Sequence, residues 1–288
     1  MRELNFEERA VAFLDILGFK EFIKGAEIVG SDEYTKLCVL QDVIESQMDI
    51  SSEPASDEGR KFLPEMQLKC TYISDSVILS APISNGGFSG LTVVAMKTIQ
   101  IAHQLLKMGF LMRGGIAVGL ASHTDRNIFG TGYQVAYEIQ EIHACTPRVL
   151  LHKSAADLLD GSGRGESKFS CWVKENDSWV VNTLFPHWSY IGGREQCPNE
   201  LFLGYRKTII ENLNEHPLGS SKRGKWEWMA GYFNETVKHC SDIRKVEFIV
   251  LPFPPSPFRS GVTADEINPH DVWEPFKAPS FTGIIKAK

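Results

Sequence analysis

The chain has 288 residues, of which 43% are hydrophobic and 23% charged, a composition that suits a folded domain with a substantial core and excludes wholesale disorder. Its net charge of −6 excludes the basic surface expected of a protein that binds duplex nucleic acid or anionic membranes. No apolar run approaches the roughly 20 residues of a membrane span, and the N-terminus has no signal-peptide pattern. We therefore expect a cytoplasmic protein with neither nucleic acid nor membrane as a partner.

The N-terminal half alternates between strand and helix patterns. Arg9–Leu14 is an apolar run typical of a buried strand, and apolar residues between Phe19 and Ala26 recur at helical spacing. The expected elements after residue 30 are a helix at Tyr34–Met48, a loop at Asp49–Arg60, strands at Phe62–Thr71 and Val77–Ser80, a helix at Gly90–Met108, a strand at Phe110–Val118, a helix at Gly132–Ala144 and a strand at Arg148–Leu151. This order predicts an α+β, ferredoxin-like core, an antiparallel sheet covered by helices on one face.

The chain changes character beyond residue 160. The elements expected there are strands at Phe169–Val173 and Trp179–Val181, helices at Leu201–Leu213 and Lys225–Lys238, and an extended proline-rich stretch, PFPPSPF, at residues 252–258. We therefore predict a core at residues 1–160 and a C-terminal α/β elaboration at residues 161–288. The elaboration is expected to pack on the core and not to form an independent enzyme.

Two aspartates lie where a carboxylate is costly. Asp15 ends the apolar run AVAFL, and Asp75 lies between the apolar segments YIS and SVILSAP. A carboxylate at the end of a buried strand needs a partner, a cap or a cation. Two such groups on neighbouring strands would suit Mg²⁺ or Mn²⁺. Aspartates at strand ends also cap helices and turns, so spacing alone leaves both interpretations open.

Four motifs follow one another in the first half of the chain: FLDILGF (13–19), YISDSVILS (72–80), RGGIAVG (113–119) and FGTGYQVAYEIQE (129–141). Their order and spacing resemble those of the class III nucleotide cyclase catalytic domain, over residues 9–152. The resemblance implies that the core has the fold of that domain. It also implies a reaction in which the ribose 3′-hydroxyl attacks the α-phosphorus of a nucleoside triphosphate and pyrophosphate leaves.

The resemblance also assigns roles to residues of the first two motifs. Asp15 and Asp75 match the ligands of two Mg²⁺ or Mn²⁺ ions, and Ile16 matches a position that contributes its backbone carbonyl. The amides of three residues at the start of a helix match the cradle of the triphosphate, which agrees with the affinity of helix N-termini for phosphate. These three residues are Leu17, Gly18 and Phe19.

The chain departs from the purine cyclases of this class at the positions that read the base. Thr71 replaces a lysine four residues before the second aspartate, and no aspartate stands near Asn127 or Ile128. Gln134 and Glu138 replace the asparagine and arginine that orient the ribose and stabilise the transition state. Glutamine can hydrogen-bond as asparagine does, but glutamate cannot supply the charge of arginine.

These departures are similar to those of the Pycsar pyrimidine cyclases of bacterial antiphage defence, as are the segments AYE (136–138), PRVLL (147–151) and KWEWMAGYFN (225–234). That family implies cyclisation of UTP or CTP by a homodimer with active sites at its interface, and a separate effector that senses the product. We expect UTP rather than CTP, because UTP is the more prevalent substrate in that family. Arg148 and Arg113 are candidates for holding phosphate. The residues that could line a compact base pocket are Tyr72, Asn127 and Tyr133.

Two alternatives remain at this stage. Glu138 in place of an arginine favours a catalytically inactive, cyclase-like nucleotide sensor, while both aspartates in intact motifs argue against it. A purine cyclase with an atypical base pocket is the other alternative, and the absence of a lysine at Thr71 argues against that.

Overall fold

The structure is a computed structural model that describes residues 4–48, 67–83, 90–162, 171–175, 178–185, 198–240, 243 and 245–251. Its strands are β1 (Glu7–Leu17), β2 (Lys69–Ile73), β3 (Ser76–Pro82), β4 (Leu111–His123), β5 (Ile128–Phe129), β6 (Val149–Leu151), β7 (Trp172–Glu175) and β8 (Ser178–Val181). Its helices are α1 (Phe19–Ala26), α2 (Asp32–Met48), α3 (Gly90–Lys107), α4 (Thr131–Ile142), α5 (Lys153–Ser162), α6 (Pro198–Glu215) and α7 (Ser221–His239).

The strands form one sheet in the order β2-β3-β1-β4-β6-β8-β7, with β5 paired to the outer part of β4. β1 is central and runs antiparallel to both β3 and β4. β4 and β6 are parallel, because α4 carries the chain back across the sheet between them. The predicted α+β class is confirmed, with this one parallel pair as a departure from a purely antiparallel sheet.

Helices cover both faces of the sheet, whereas the sequence predicted helices on one face only. Ala12 and Leu14 of β1 belong to the main core, which α3 covers, whereas Val11 and Phe13 pack with Ala136 of α4 on the opposite face. All six residues of Arg9–Leu14 are buried. A continuous apolar run is typical of a strand buried on both faces, and this explains why the expectation of a single covered face was wrong.

The C-terminal elements join the sheet and build a second core. β8 pairs with β6 at Leu150 and Val180, and α6 and α7 pack together around Phe202 and Phe233. The Tyr205 hydroxyl donates to Nδ1 of His103 on α3 at 2.7 Å, and His103 Nε2 donates to the carbonyl of Phe185 at 3.1 Å. The boundary at residue 160 itself stays a prediction.

Several elements differ from expectation. β4 extends to His123, five residues beyond the predicted end at Val118, and α5 was not predicted. Ser154, near the start of α5, accepts a hydrogen bond from the Val118 amide at 3.0 Å, so α5 is anchored to β4. The expected loop at 49–60, the strand residues 62–66 and 169–170, and the proline-rich stretch at 252–258 lie outside the described residues. None of the described helices is long and apolar enough to cross a membrane.

Candidate active site

Asp15 lies inside β1 and not at its end. Its backbone is paired with Ser76 of β3 on one side and with Arg113 of β4 on the other. The side chain is 18% exposed and lies on the α4 face of the sheet, two residues before β1 ends. A carboxylate placed there is held by three strands, which makes its position much better defined than that of a loop residue.

Asp75 lies in the tight turn between β2 and β3, as the hairpin pattern predicts. Ser74, the first residue of this turn, has the left-handed φ of 57° that such turns require. The Ile16 amide donates to the Asp75 carbonyl at 2.8 Å, so the turn is fastened to the residue that follows Asp15. The charge of Asp75 contributes to raising the pKa of Asp15, as expected of carboxylates at neighbouring positions.

Asp15 is engaged by two side chains through the same oxygen. Arg113 Nε donates to Asp15 Oδ2 at 2.9 Å, and Gln140 Nε2 of α4 donates to that oxygen at 3.3 Å. Burial raises the pKa of Asp15, the Arg113 guanidinium opposes that shift, and the charges of Asp75 and Glu141 add to it. Gln140 was not singled out by the sequence analysis, although it belongs to the fourth motif.

The donor set at this site fits a hard divalent cation. Asp15 and Asp75 would supply carboxylate oxygens and Ile16 would supply its backbone carbonyl. Both side-chain hydrogen bonds to Asp15 end on Oδ2. The part of the chain that the structure describes holds no group of three or more His, Cys, Asp or Glu side chains arranged around a metal. Mg²⁺ typically takes one or two carboxylates and completes its shell with waters and substrate phosphates, so two carboxylates meet its needs.

The start of α1 presents backbone amides beside Asp15. Gly18 precedes α1 with a left-handed φ of 80°, and no side chain caps the helix there. A Cβ added at Gly18 would meet nothing within 4 Å, so the backbone conformation and not crowding favours glycine. The Phe19 ring is buried against Phe22. Only the backbone amide of Phe19 could therefore bind an anion. Gly18 and Phe19 of the predicted cradle therefore lie at a helix N-terminus, whereas Leu17 is the last residue of β1 and pairs with Leu111 of β4.

Lys225 of α7 is a site residue that the sequence analysis missed. It is half-buried, and burial together with the charge of Arg113 lowers its pKa, whereas the charge of Asp15 raises it. Lys222, one turn earlier, has its Nζ 4.0 Å from Glu21 Oε2 on α1. The start of α7 therefore lies beside α1, and it brings Lys225 close enough for its charge to interact with that of Asp15. The only sequence signal was that Lys225 opens the segment KWEWMAGYFN.

The candidate base-pocket residues are dispersed. Thr71 lies on the α4 face and its Oγ1 is 2.9 Å from His123 Nε2, whereas Tyr72 lies on the other face and packs against the main core. Tyr133 packs against Phe13 with ring centroids 6.0 Å apart. Asn127 is exposed and its carbonyl accepts from the Thr124 amide at 2.8 Å. Of these residues, Thr71 and Tyr133 lie on the α4 face of the sheet, as Asp15 does.

Gln134 and Glu138 are exposed on α4 and face away from Asp15 of their own chain. They precede Gln140 by six and two residues, which places them about 120° and 160° from it around the helix. Since Gln140 is the residue that contacts Asp15, neither of the other two can reach the same carboxylate.

Arg148 is engaged elsewhere. The Arg148 Nη1 atom donates a hydrogen bond to Glu175 Oε2 of β7 at 2.5 Å. The Arg148 carbonyl accepts from the Gly114 amide, so its backbone adjoins Arg113 while its side chain pairs with β7. The structure therefore brings Arg113, and not Arg148, into contact with Asp15.

No protein-family model and no curated protein sequence matches the chain. The solved structures that resemble this fold include guanylyl cyclase catalytic domains and a class III adenylyl cyclase-like ATP-binding protein. One is the catalytic core of a rhodopsin-guanylyl cyclase with converted specificity in complex with ATPalphaS, which is 12% identical and matches 62% of this chain and 98% of its own at a TM-score of 0.42.

Two further structures are similar at the same level. The guanylyl cyclase domain of the RhoGC fusion protein from the aquatic fungus Blastocladiella emersonii is 13% identical, with 62% of this chain and 98% of that chain covered and a TM-score of 0.40. A class III adenylyl cyclase-like ATP-binding protein from Pseudomonas aeruginosa is 11% identical, with 53% and 34% covered and a TM-score of 0.35. Sequence identities and TM-scores this low do not indicate which reaction this chain catalyses. None of the three proteins is described as acting on a pyrimidine.

Proposed function

We propose that the protein is a metal-dependent nucleotide cyclase whose active site is centred on Asp15 and Asp75. The observation that carries the proposal is their fixed relation: Asp15 is held between two strands, and the Asp75 turn is tied to the next residue by the 2.8 Å hydrogen bond from Ile16. Two carboxylates fixed beside the N-terminus of a helix suit a metal–triphosphate substrate.

The proposed reaction forms a bond from the ribose O3′ to the α-phosphorus and breaks the bond from that phosphorus to the β-phosphate oxygen. The hydroxyl proton is released and pyrophosphate leaves, so no oxidant or second substrate is needed. Two bound Mg²⁺ or Mn²⁺ ions would supply positive charge to the reacting oxygens. The amides of Leu17, Gly18 and Phe19 would hold the triphosphate, with Arg113 and Lys225 as nearby cations.

UTP is the proposed substrate, with CTP the less favoured choice. Support comes from Thr71, which is a short polar side chain at the position where the purine cyclases carry a lysine. A purine cyclase with an unusual base pocket is the alternative within the same class. The product would act as a second messenger that a separate effector senses, as the family resemblance implies.

The proposed assembly is a homodimer with active sites at its interface. Gln134 and Glu138 face away from the Asp15 of their own chain, so they could contact a nucleotide only at the aspartates of a facing subunit. Tyr137 and Ile142 of α4 are large apolar side chains that are exposed in the single chain. A second subunit packed on α4 would bury them.

A catalytically inactive nucleotide sensor is the alternative from another functional class. It is favoured by Glu138 in place of an arginine and by the ion pair that engages Asp15 Oδ2. A sensor would bind nucleotide without product formation, which separates the two proposals experimentally.

Replacing Asp75 by asparagine tests the cyclase proposal. The exchange keeps the size of the side chain but removes the charge that a hard cation needs, so we expect Asp75→Asn to abolish cyclic nucleotide formation and to leave the circular dichroism spectrum unchanged. The control is Asp157→Asn, which alters an exposed carboxylate paired with Lys153 on α5. Turnover at the wild-type rate in Asp75→Asn would overturn the assignment.

A further inference from the structure

A chain of hydrogen bonds connects the buried Arg9 of β1 to Thr71 of β2. Arg9 Nε lies 2.8 Å from Ser80 Oγ, Ser80 Oγ lies 2.7 Å from His123 Nδ1, and His123 Nε2 lies 2.9 Å from Thr71 Oγ1. All four residues lie on the α4 face of the sheet, as Asp15 does. Thr71 is the half-buried end of this relay, and the other three side chains are buried.

The direction of each hydrogen bond follows from Arg9. A guanidinium only donates, so Ser80 Oγ accepts from Arg9 Nε. The Ser80 hydroxyl is then free to donate to His123 Nδ1, which places the imidazole hydrogen on Nε2. His123 Nε2 therefore donates to Thr71 Oγ1, and the Thr71 hydroxyl hydrogen remains available to a ligand.

The two other protonation states of His123, with the hydrogen on Nδ1 or on both ring nitrogens, are disfavoured. If His123 Nδ1 carried the hydrogen, the fully buried Ser80 hydroxyl would have no acceptor among the described residues, which is costly. A doubly protonated imidazole would leave the same hydroxyl without an acceptor. It is disfavoured further because burial, and then the charges of Arg9 and Lys69, lower the pKa of His123 to about 4. At neutral pH the imidazole is therefore neutral and has one donor nitrogen.

We propose that this relay makes Thr71 a hydrogen-bond donor that selects a keto base over an amino base, with His123 as the positioning residue. The inference rests on the proposed function and adds to it that Thr71 contacts the base. Uracil and guanine present a carbonyl acceptor where cytosine and adenine present an amino donor. A carbonyl on the base pairs with the Thr71 hydroxyl hydrogen. An amino group can pair only with the remaining lone pair of Thr71 Oγ1 and leaves that hydrogen without an acceptor, so UTP is favoured over CTP.

The test compares UTP with CTP, which differ in their hydrogen-bonding edge and hardly in size. Their dissociation constants, measured by isothermal titration calorimetry, and their kcat/KM values are determined for wild type, Thr71→Val, Thr71→Ser and His123→Phe. We expect wild type to favour UTP by roughly tenfold, the effect of about one hydrogen bond. Thr71→Val and His123→Phe should bring the ratio to near one, and Thr71→Ser, which keeps the hydroxyl, should restore it.

His103→Phe is the matched control, because His103 is also a buried histidine that joins a hydroxyl to a second partner. It should lower stability without changing the ratio. The inference is overturned if wild type binds CTP as tightly as UTP, or if Thr71→Val keeps the preference. If wild type binds UTP preferentially but makes no cyclic product, the cyclase proposal fails and the relay stands. If product forms from both nucleotides at equal efficiency, the relay fails and the cyclase proposal stands.

Discussion

At the scale of single residues, the environment of Asp15 combines opposing influences. Burial raises its pKa, and Arg113 counteracts this through a 2.9 Å hydrogen bond and its charge. If Asp15 is a metal ligand, as proposed, it must be ionised, and Arg113 would help to keep it in that form. Under the same proposal, Arg113 would be near enough to contact phosphate once the nucleotide is bound.

His103 allows a pH prediction that does not depend on the proposed activity. Burial lowers its pKa from 6.5 to about 4, so between these values the unfolded chain takes up a proton that the native protein does not. The stability contributed by a neutral His103 is therefore present at pH 7 and is lost as pH falls. From pH 7 to pH 5 we expect this residue to lower the free energy of unfolding by about 2 kcal/mol.

Urea denaturation of wild type and His103→Phe at both pH values measures this contribution. The variant should be less stable at pH 7, because Tyr205 and the Phe185 carbonyl lose their partner, but its loss between pH 7 and pH 5 should be about 2 kcal/mol smaller. The exposed His152 supplies the control, and its replacement should leave the difference in place. Equal losses in wild type and His103→Phe would contradict the assignment.

The sequence predicted both aspartates but not their surroundings. A costly carboxylate next to an apolar run is visible in one dimension, and the tight turn around Asp75 follows from short-range rules. The contacts of Asp15 with Arg113 and Gln140 join residues 98 and 125 positions apart and depend on the sheet register and on the rotation of α4. Their roles in the site, like those of all the predicted site residues, stay predictions.

At the scale of elements, α7 brings Lys225 near Asp15 although the two residues are far apart in the sequence. If Lys225 holds triphosphate, Lys225→Met should raise KM for the nucleotide by about tenfold while keeping the aliphatic part of the side chain. Lys222→Met is the matched control, since Lys222 lies one turn away and is oriented to Glu21 of α1. Equal effects of the two substitutions on KM would contradict a specific role for Lys225.

Elements with strong periodicity were predictable and those defined by pairing were not. The helix expected at Gly90–Met108 is observed as α3 at Gly90–Lys107, since its apolar stripe is long and regular. β4 was predicted too short because its outer part, where His123 lies, depends on pairing with β1 and β5. β5, with only two residues, has no periodicity to detect.

At the scale of the whole molecule, a site shared between subunits predicts that activity depends on concentration. Activity per mole should fall on dilution below the dimer dissociation constant, because Gln134 and Glu138 would then lose the facing aspartates. Size-exclusion chromatography with light scattering at the same concentrations gives the oligomeric state. Constant specific activity across a range in which the protein becomes monomeric would refute the shared site.

The same model predicts complementation between defective subunits. Asp75→Asn removes a metal ligand from one subunit, and Gln134→Ala removes a contact that the facing subunit would provide. Mixing the two inactive variants should restore about one quarter of the wild-type activity, because random exchange makes half of the dimers heterodimers and each heterodimer regains one of its two sites. Absence of recovery in mixtures shown to contain heterodimers would place Gln134 and Asp75 in the site of one subunit.

The most direct measurement is incubation of the purified protein with ATP, GTP, CTP and UTP in separate reactions with Mg²⁺ or Mn²⁺, followed by mass spectrometry for cyclic monophosphate and pyrophosphate. The account predicts product from UTP, less from CTP, and none without a divalent ion. Cyclic AMP or GMP alone would retain the cyclase and contradict the pyrimidine substrate. Binding of nucleotide without product from any of the four would contradict the central claim and identify a sensor.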